Sequence, residues 1–389
     1  MVEATETDVV IIGAGAAGLA CAACLKRAGL RTELLEGADQ VGDAWRGRYD
    51  RLHLHTSKSL STLPDLDFAA DVPRYPSRDQ VVSYLQAYSD AHGLSPRFGR
   101  KVTALASEPD GRWSIRCDNG EQFRAAQVVV ATGYARVPVL PRWPGLDAFG
   151  GPVLHSASYR NGRSFAGRSV LVVGIGNSGG EIALDLMEHG AHPAISVRSP
   201  VNVVPRDFMG IPILAWSIVL GLLPLWLADG IGKLVSWLSF GSLKRLGLRR
   251  LPYGPLGQIR STGRIPLLDV GTMRGIREGR IGVVPGVVSL APGHLRFSDG
   301  STRAFDALVL ATGFKPGLDE FLPRSAPLDQ GAPRQSGAEI MPGLYVCGFY
   351  VSPTGMLREI GREARRIAEA IARRHGTVGG ARKADIGKS

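Results

Sequence analysis

VVIIGAGAAGLACAACLKRAGLRTELLEGAD, residues 9–39, predicts the fold of this chain. It reads as a buried apolar strand, a glycine-rich turn, a helix and a second strand. Gly13, Gly15 and Gly18 follow GxGxxG spacing. The first glycine makes a tight turn, the second lets a pyrophosphate approach the backbone, and the third lets helix and sheet pack closely. Glu36 ends the second strand, where a carboxylate can accept both ribose hydroxyls of an adenosine. The stretch therefore predicts a dinucleotide site in an α/β fold.

The same pattern recurs in SVLVVGIGNSGGEIALDLMEHGAHPAISVRSP, residues 169–200. Arg198 stands here at nearly the offset at which the first copy has its acid. Because an acid suits a free ribose 2′-hydroxyl and an arginine suits a 2′-phosphate, we assign FAD to the first site and NADPH to the second. The alternative for Arg198 is a solvated residue at a strand end. The residues predicted to contact NADPH are Gly174, Gly176, Asn177, Ser178, Gly179, Arg198 and Ser199.

Three later strands agree with a flavoprotein that binds two dinucleotides. VVVATGY (128–134) and LVLATGF (308–314) are apolar strands that end in the same Ala-Thr-Gly, as is typical of a chain passing between an FAD domain and an NADP domain inserted within it. GLYVCGF (343–349) ends in a glycine suited to bring backbone close to the flavin. The helix predicted at about 353–374 should point its N-terminus at the isoalloxazine. The predicted cofactor contacts on these strands are Gly133, Gly313 and Gly348.

The predicted architecture is therefore α/β, with two Rossmann-like dinucleotide-binding domains. The NADP domain is inserted into the FAD domain and itself carries a helical apolar insertion. The predicted segments are 1–150 for the first part of the FAD domain, 165–300 for the NADP domain with its insertion at about 205–250, and 305–389 for the second part of the FAD domain.

Composition narrows the classes of partner. The chain has 389 residues and a formal net charge of +11, which fits nucleic acid, a membrane surface or anionic small molecules. No dense basic arm or zinc-finger spacing supports nucleic acid, so none is expected. Four cysteines are too few for a disulfide framework, and the acidic start lacks the basic region and cleavage site of a signal peptide. We expect a cytoplasmic protein without a metal ion.

FGGPVLHSASY, residues 149–159, lies between the two dinucleotide patterns and matches no regular helix or strand. Through Phe149, Gly151, His155 and Tyr159 it resembles the FxGxxxHxxxY signature of class B flavin-dependent monooxygenases. Within that class the chain is similar to the YUCCA-type indole-3-pyruvate monooxygenases and their bacterial relatives, over nearly its whole length. The other similar stretches are RYPSRDQVVSYLQAY (74–88), GIGNSGGEIALDL (174–186) and GPLGQIRSTGRIPLLDVGT (254–272).

The resemblance implies roles for particular residues. It implies that His155 couples NADP binding to catalysis and that Tyr159 takes part; the alternative is a structural linker. It places Trp45 close to the flavin ring system, with a partly buried loop aromatic as the alternative. His55 and Lys58 lie in a stretch that relatives run past the flavin C4a edge, where many have an asparagine that this chain lacks. The donor to the peroxide oxygen is therefore unidentified, and a satisfied core histidine is the alternative for His55.

The mechanism that the resemblance implies uses NADPH to reduce FAD, and O₂ is then captured as a flavin C4a-(hydro)peroxide. The closest resemblance favours oxidative decarboxylation of an aryl 2-oxo acid, such as indole-3-pyruvate, to the acetate, as in auxin biosynthesis. The alternatives are N- or S-oxygenation of a soft nucleophile and a non-catalytic NADPH-binding redox sensor. A disulfide reductase is not favoured, because Cys21 and Cys24 lie inside the helix after the first fingerprint, where small side chains are needed for packing.

The stretch Phe208 to Ala228 contains no charge and is long enough to cross a bilayer. Prolines at 212 and 224 predict two short helices instead of one long one. Three alternatives remain open: a helical insertion at the substrate tunnel or a subunit contact within a homodimer, peripheral membrane contact through 208–250, and a membrane span.

Overall fold

A computed structural model describes residues 4–386 and confirms the α/β fold. Its helices are α1 (Ala16–Arg27), α2 (Asp43–Arg46), α3 (Arg78–Ala91), α4 (Asn177–Glu188), α5 (Ile213–Leu220), α6 (Leu225–Phe240), α7 (Pro255–Thr262), α8 (Thr272–Arg277) and α9 (Met356–Ile386). Its strands are β1 (Thr5–Ile12), β2 (Thr32–Leu35), β3 (Val102–Ser107), β4 (Trp113–Cys117), β5 (Gln122–Val130), β6 (Val137–Pro138), β7 (Val153–His155), β8 (Ser169–Val173), β9 (His192–Ser196), β10 (Val203–Pro205), β11 (Asp207–Phe208), β12 (Ile211–Pro212), β13 (Leu267–Asp269), β14 (Gly282–Val284), β15 (Val287–Ala291), β16 (His294–Phe297), β17 (Thr302–Ala304), β18 (Ala307–Leu310), β19 (Phe314–Lys315), β20 (Leu328–Asp329), β21 (Ala332–Pro333), β22 (Ala338–Met341) and β23 (Leu344–Val346).

The first sheet is built around the first fingerprint. Its parallel strands run β2-β1-β5-β23, with β22 antiparallel at one edge; β4 pairs antiparallel with β5, and β3 pairs with β4. Ile12 and Val346 both pair with Val130, so three carboxyl ends lie at one level. Helix α9 begins at Met356, close to the predicted start, and its backbone continues past the predicted end at 374 to Ile386 while packing on α1.

The second sheet is parallel throughout, in the order β14-β9-β8-β18-β7. Leu310 pairs with both Val173 and His155, so the signature histidine lies at the carboxyl edge of the sheet, where ligands bind in open α/β folds. The strand at 307–310 thus belongs to the second sheet, although we predicted the FAD domain to resume at about 305. The division into domains stays a prediction.

A two-stranded ribbon joins the two sheets. Each Ala-Thr-Gly return continues into a short strand, β6 after the first and β19 after the second, and these strands pair antiparallel. The ribbon is tied further by Thr312, whose hydroxyl donates to the carbonyl of Val139 (2.6 Å). The chain therefore leaves and re-enters the first sheet through two adjacent backbone segments.

The apolar insertion forms the two short helices that the prolines predicted. Pro212 precedes α5, Gly221 ends it, and Pro224 precedes α6. Asp229 of α6 is buried and accepts hydrogen bonds from the backbone N–H groups of Gly254, Leu256 and Gly257 at the start of α7 (2.9–3.0 Å). In residues 4–386 no helix is both long and apolar enough to span a membrane.

Candidate functional site

The first dinucleotide cradle lies where β1 turns into α1. Gly13 adopts a left-handed φ of 104°, and a Cβ atom there would lie 2.8 Å from the carbonyl oxygen of Ala131. A Cβ atom on Gly18 would overlap the carbonyl oxygen of Gly13. At Gly15, the N-cap of α1, the space is open to 4 Å. The geometry fits a pyrophosphate that lies against the backbone and the helix N-terminus.

Glu36 follows β2 and reaches the lip of this cradle. Its carboxylate accepts hydrogen bonds from the backbone N–H groups of Ala14 (2.6 Å) and Ala38 (2.9 Å). These contacts hold the acid beside the glycine turn, the position in which a carboxylate can accept ribose hydroxyls. Gly348 closes the cradle from β23, since a Cβ atom there would lie 2.9 Å from the Cβ atom of Ala17.

The second cradle repeats this geometry. Gly174 has a φ of 109°, and a Cβ atom there would lie 2.6 Å from the carbonyl oxygen of Ala311. A Cβ atom on Gly179 would overlap the carbonyl oxygen of Gly174, whereas Gly176 faces open space. Ala131 and Ala311 each begin an Ala-Thr-Gly return. Each cradle is therefore closed by its own copy of this tripeptide. The glycines of the returns, Gly133 and Gly313, have φ of 81° and 91° and open space around them.

Polar side chains around the second cradle have different tasks. Arg198 and Ser199 are exposed just past the end of β9. Arg249, which the sequence analysis did not identify, donates from Nη2 to the carbonyl oxygen of Arg198 (3.0 Å), so a second guanidinium lies nearby. Asn177 instead holds β13, because its Oδ1 atom accepts from the backbone N–H of Leu268 (2.8 Å). Two adjacent arginines fit a ribose 2′-phosphate.

An acidic stripe on α4 faces the segment at 41–64, which is predicted to line the flavin and is called the flavin-side loop. Glu181, Asp185 and Glu188 lie at i, i+4 and i+7, on one side of the helix. Nε2 of His55 contacts the buried Glu181 carboxylate, and Arg51 forms two hydrogen bonds to Glu188 (2.7 and 2.9 Å). The stripe therefore fastens the flavin-side loop to the helix that begins the second cradle.

The hydroxyl of Tyr49 lies against this same helix. Burial, with the nearby Glu181 carboxylate, raises the pKa of Tyr49 well above its usual value, and Ser178 also contacts that hydroxyl. Oε2 of Glu181 is buried without a hydrogen-bond partner among the described residues. His55 and Tyr49 thus both lie against the buried Glu181 carboxylate between the two cradles.

Two of the predicted catalytic residues have structural contacts instead. Lys58 donates from Nζ to the carbonyl oxygens of Ala69, Ala70 and Val72 (2.6–3.2 Å), which uses all three of its N–H donors. Tyr159 is 1 % exposed and donates to Oδ2 of Asp185 (2.6 Å) within the core. Both groups therefore have structural contacts in this arrangement, and their catalytic roles stay predictions.

His155 lies where the second sheet meets the ribbon. Its Nε2 atom bonds to the carbonyl oxygen of Gly313 (3.2 Å), which also accepts the backbone N–H of Val139 (3.0 Å). Its Nδ1 atom accepts from the backbone N–H of Ala157 (3.1 Å), so the ring is the neutral tautomer protonated at Nε2. Burial lowers the pKa of His155, although the Gly313 carbonyl acts in the opposite direction.

Arg48 lies beside this histidine. Its guanidinium lies 4.5 Å from the ring centre of Phe314, which packs edge-on against His155 at 4.9 Å. Its Nη2 atom donates to the carbonyl oxygen of Ala135 (3.0 Å), and burial lowers its pKa. Trp45, on the short helix α2 just before Arg48, is half-buried and packs against the core of the first sheet. The loop thus presents a partly desolvated cation to the junction of the two sheets.

A cavity of about 510 Å³ opens between the flavin-side loop and the insertion. Four of its eight lining residues are apolar, and the polar ones include one lysine and one arginine. Its lining residues are Ser57, Lys58, Ser59, Leu60, Val72, Arg74, Pro212 and Ala215. In residues 4–386 no cluster of three or more His, Cys, Asp or Glu side chains could hold a metal ion.

The burial of the cysteines does not favour a redox site. All four thiols are free and buried, and Cys21 and Cys24 lie within α1. Burial raises the pKa of the Cys24 thiol to about 11, which disfavours the reactive thiolate.

Two fingerprint cradles, joined by a ribbon and fastened through α4, define an oxidoreductase that uses two dinucleotides. Residues 10–206 match the family model described as pyridine nucleotide-disulphide oxidoreductase. The chain is 43 % identical over 316 residues to the indole-3-pyruvate monooxygenase YUCCA1 of Oryza sativa subsp. japonica, covering 80 % of this chain and 78 % of that protein. It is 38 % identical over 381 residues to the indole-3-pyruvate monooxygenase YUCCA6 of Arabidopsis thaliana, covering 94 % and 90 %.

Solved structures of flavin monooxygenases are also similar to this chain. The flavin-containing monooxygenase from Stenotrophomonas maltophilia matches with a TM-score of 0.73 at 25 % identity, over 94 % of this chain and 98 % of that one. A cyclohexanone monooxygenase from Rhodococcus sp. Phi1, bound to NADP⁺, shares the fold with a TM-score of 0.70 at 21 % identity, over 95 % and 85 %. The chain belongs to the family of flavin-dependent monooxygenases that includes the YUCCA-type enzymes.

The open position at the middle glycine of each cradle gives a matched pair of variants. Gly15→Ala should fold but lose bound flavin, because its methyl group meets no protein atom and would occupy the space of the pyrophosphate. Gly176→Ala should keep the flavin and raise the KM for NADPH at least tenfold. Visible absorbance of purified protein, thermal melting by circular dichroism and steady-state kinetics test this. Stoichiometric flavin in Gly15→Ala would contradict the assignment of the first cradle.

His155→Ala should retain flavin but become uncoupled, with most of the NADPH oxidised yielding hydrogen peroxide. The substitution removes the bond to Gly313 that ties the second sheet to the ribbon, so the junction would admit water. The measurement is the ratio of hydrogen peroxide released to NADPH consumed. His294→Ala, an exposed histidine in β16, is the control. An unchanged ratio in His155→Ala would show that the signature histidine is only a packing element.

Proposed function

We propose that this monooxygenase uses FAD in the first cradle and NADPH in the second to convert an aryl 2-oxo acid, such as indole-3-pyruvate, to the acetate with loss of CO₂. The observation that carries the proposal is the 43 % identity to an indole-3-pyruvate monooxygenase over 80 % of the chain. The reaction balances as 2-oxo acid, O₂, NADPH and a proton giving the shortened acid, CO₂, NADP⁺ and water.

The cofactors supply the hydride and the activation of O₂, and the protein positions them and keeps water away. Glu36 would accept the adenosine ribose hydroxyls of FAD in the first cradle. Arg198, with Arg249 beside it, would neutralise the 2′-phosphate of NADPH in the second. The Glu181–His55 contact holds the flavin-side loop against α4, so the two cofactor sites keep a fixed separation. His155 holds the ribbon at the same junction.

The cavity beside the flavin-side loop offers a place for the substrate. Leu60, Val72 and Pro212 supply apolar surface for a flat ring. Arg74, at the rim, donates from Nη1 to the carbonyl oxygen of Gly210 (3.0 Å), and its guanidinium is half exposed. Its remaining donors suit the carboxylate of a 2-oxo acid, although Asp207 at 3.6 Å already shares that charge.

Preference for NADPH should depend on Arg198. We expect Arg198→Ala to lower the ratio of kcat/KM for NADPH to that for NADH by about 10- to 100-fold, because a charge-assisted contact of this kind contributes about 1.5–3 kcal/mol. Arg249→Ala should give a smaller decrease, and Arg116→Ala, an exposed arginine on β4, should give none. A preference that survives in Arg198→Ala would refute the assignment.

The substrate class is tested by supplying indole-3-pyruvate, phenylpyruvate, trimethylamine and a thioether separately, with NADPH and ¹⁸O₂. The 2-oxo acids should yield CO₂ and a shortened acid carrying one labelled oxygen. Arg74→Gln should raise the KM for the 2-oxo acids about tenfold and leave that for the thioether unchanged. If only the amine or the thioether is oxygenated, the protein is an N- or S-oxygenase and the carbonyl chemistry is wrong.

A further inference from the structure

The insertion presents an unusually apolar surface to solvent. Most of the large exposed apolar side chains of the described chain lie between residues 209 and 238. The most exposed are Leu222 (85 %), Met209 (80 %) and Trp226 (76 %). The others are Ile211, Val219, Leu234, Trp237 and Leu238. A concentration of exposed apolar side chains in one segment of a globular protein marks a contact site. We call these eight residues the apolar face.

Helix α6 is turned so that its apolar side faces outward. At 100° per residue, Trp226, Leu234, Trp237 and Leu238 project from one side of the helix. The opposite side buries Ala228, Asp229 and Ser236. An ordinary surface helix has the reverse arrangement, with its apolar side against the core.

Asp229 fixes this orientation. Its carboxylate accepts three backbone N–H groups at the start of α7, and a Cβ atom on Gly254 or Gly257 would collide with it. The helix therefore cannot rotate to bury its tryptophans without leaving a buried charge and three buried donors unpaired. The outward apolar face is a built feature of the fold.

Along the segment 208–250, which carries the apolar face, almost all charges are positive, and Asp207 just before it accepts a hydrogen bond from the Tyr75 hydroxyl. Between residues 208 and 250 the only acid is the buried Asp229, and the basic residues are Lys233, Lys244, Arg245, Arg249 and Arg250. The side chains of Lys244 and Arg245 are exposed and form no hydrogen bond or ion pair with the described part of the chain. They are thus free to meet an anionic surface.

We propose that the apolar face docks on the surface of an anionic lipid bilayer, with α5 and α6 lying in the headgroup region and the rest of the enzyme in the cytoplasm. Tryptophans and leucines enter the boundary between headgroups and acyl chains, while Lys244 and Arg245 contact anionic headgroups. A second copy of the chain is a poorer occupant. In a two-fold contact across this face, the same cations would approach each other without an acid between them.

The test is co-sedimentation of the full-length holoenzyme with vesicles of phosphatidylcholine alone or mixed with phosphatidylglycerol. Binding should be strong only with phosphatidylglycerol and should fall as salt is raised. Lys244→Gln/Arg245→Gln should weaken partitioning about 30-fold, from two lost cations. Trp226→Ser/Trp237→Ser should abolish it. Leu140→Ser/Val288→Ser, exposed apolar positions outside the face, should bind normally. NADPH oxidation in solution should be unchanged in all variants.

Sedimentation velocity without lipid tests whether a second copy of the chain, instead of a lipid surface, covers the apolar face. A monomer in the wild type and in Trp226→Ser/Trp237→Ser is expected. A wild-type dimer that these substitutions dissociate would overturn the proposal in favour of a second copy. Absence of binding to phosphatidylglycerol vesicles at low salt, or binding that the tryptophan substitutions do not change, would overturn it as well. These outcomes are independent of the substrate and cofactor assignments.

Discussion

Close contact between the first turn of a helix and the glycine that precedes it is the constraint on which both dinucleotide sites depend. At Gly18 and Gly179 no side chain can be accommodated, because a Cβ atom would overlap the carbonyl oxygen of Gly13 or Gly174. This contact directs each helix N-terminus at the open space beside the middle glycine. The Ala-Thr-Gly returns then close each cradle from the neighbouring strand. The two sites are therefore geometrically alike, although the residues proposed to meet the ribose, Glu36 and Arg198, carry opposite charge.

The helix of the second cradle also organises the junction of the two sheets. Its acidic stripe contacts His55, Tyr159 and Arg51, two of which come from the flavin-side loop. The ribbon of β6 and β19, with His155 bonded to Gly313, forms the other attachment. The side-chain contacts of α4 on one side and the backbone ribbon on the other limit relative movement of the cradles. A fixed separation suits a reaction that passes a hydride between two bound cofactors.

The parts of the structure that could be predicted from the sequence are those set by local residue patterns. Glycine spacing, apolar runs and the prolines at 212 and 224 act within a few residues, so both cradles, their returns and the two insertion helices could be expected. The contacts of Lys58 could not be predicted, because the carbonyl groups to which it donates take their positions only when the loop at 69–72 folds back. The contact of His55 with Glu181 joins residues 126 positions apart. Arg249 could not be predicted as part of the site, since its approach to Arg198 depends on the path of the whole insertion.

The strand order also governs how the chain can fold during synthesis. Strand β5 pairs with β23, so Val128 cannot pair until Leu344 has been synthesised. The second sheet and the insertion emerge from the ribosome between these two strands. The second sheet has all its strands by Leu310 and can form while β5 still has an unpaired edge. Until β23 arrives, that edge is a hydrogen-bonding surface open to other chains. Translation speed through the insertion therefore sets how long the nascent flavin sheet stays vulnerable to aggregation.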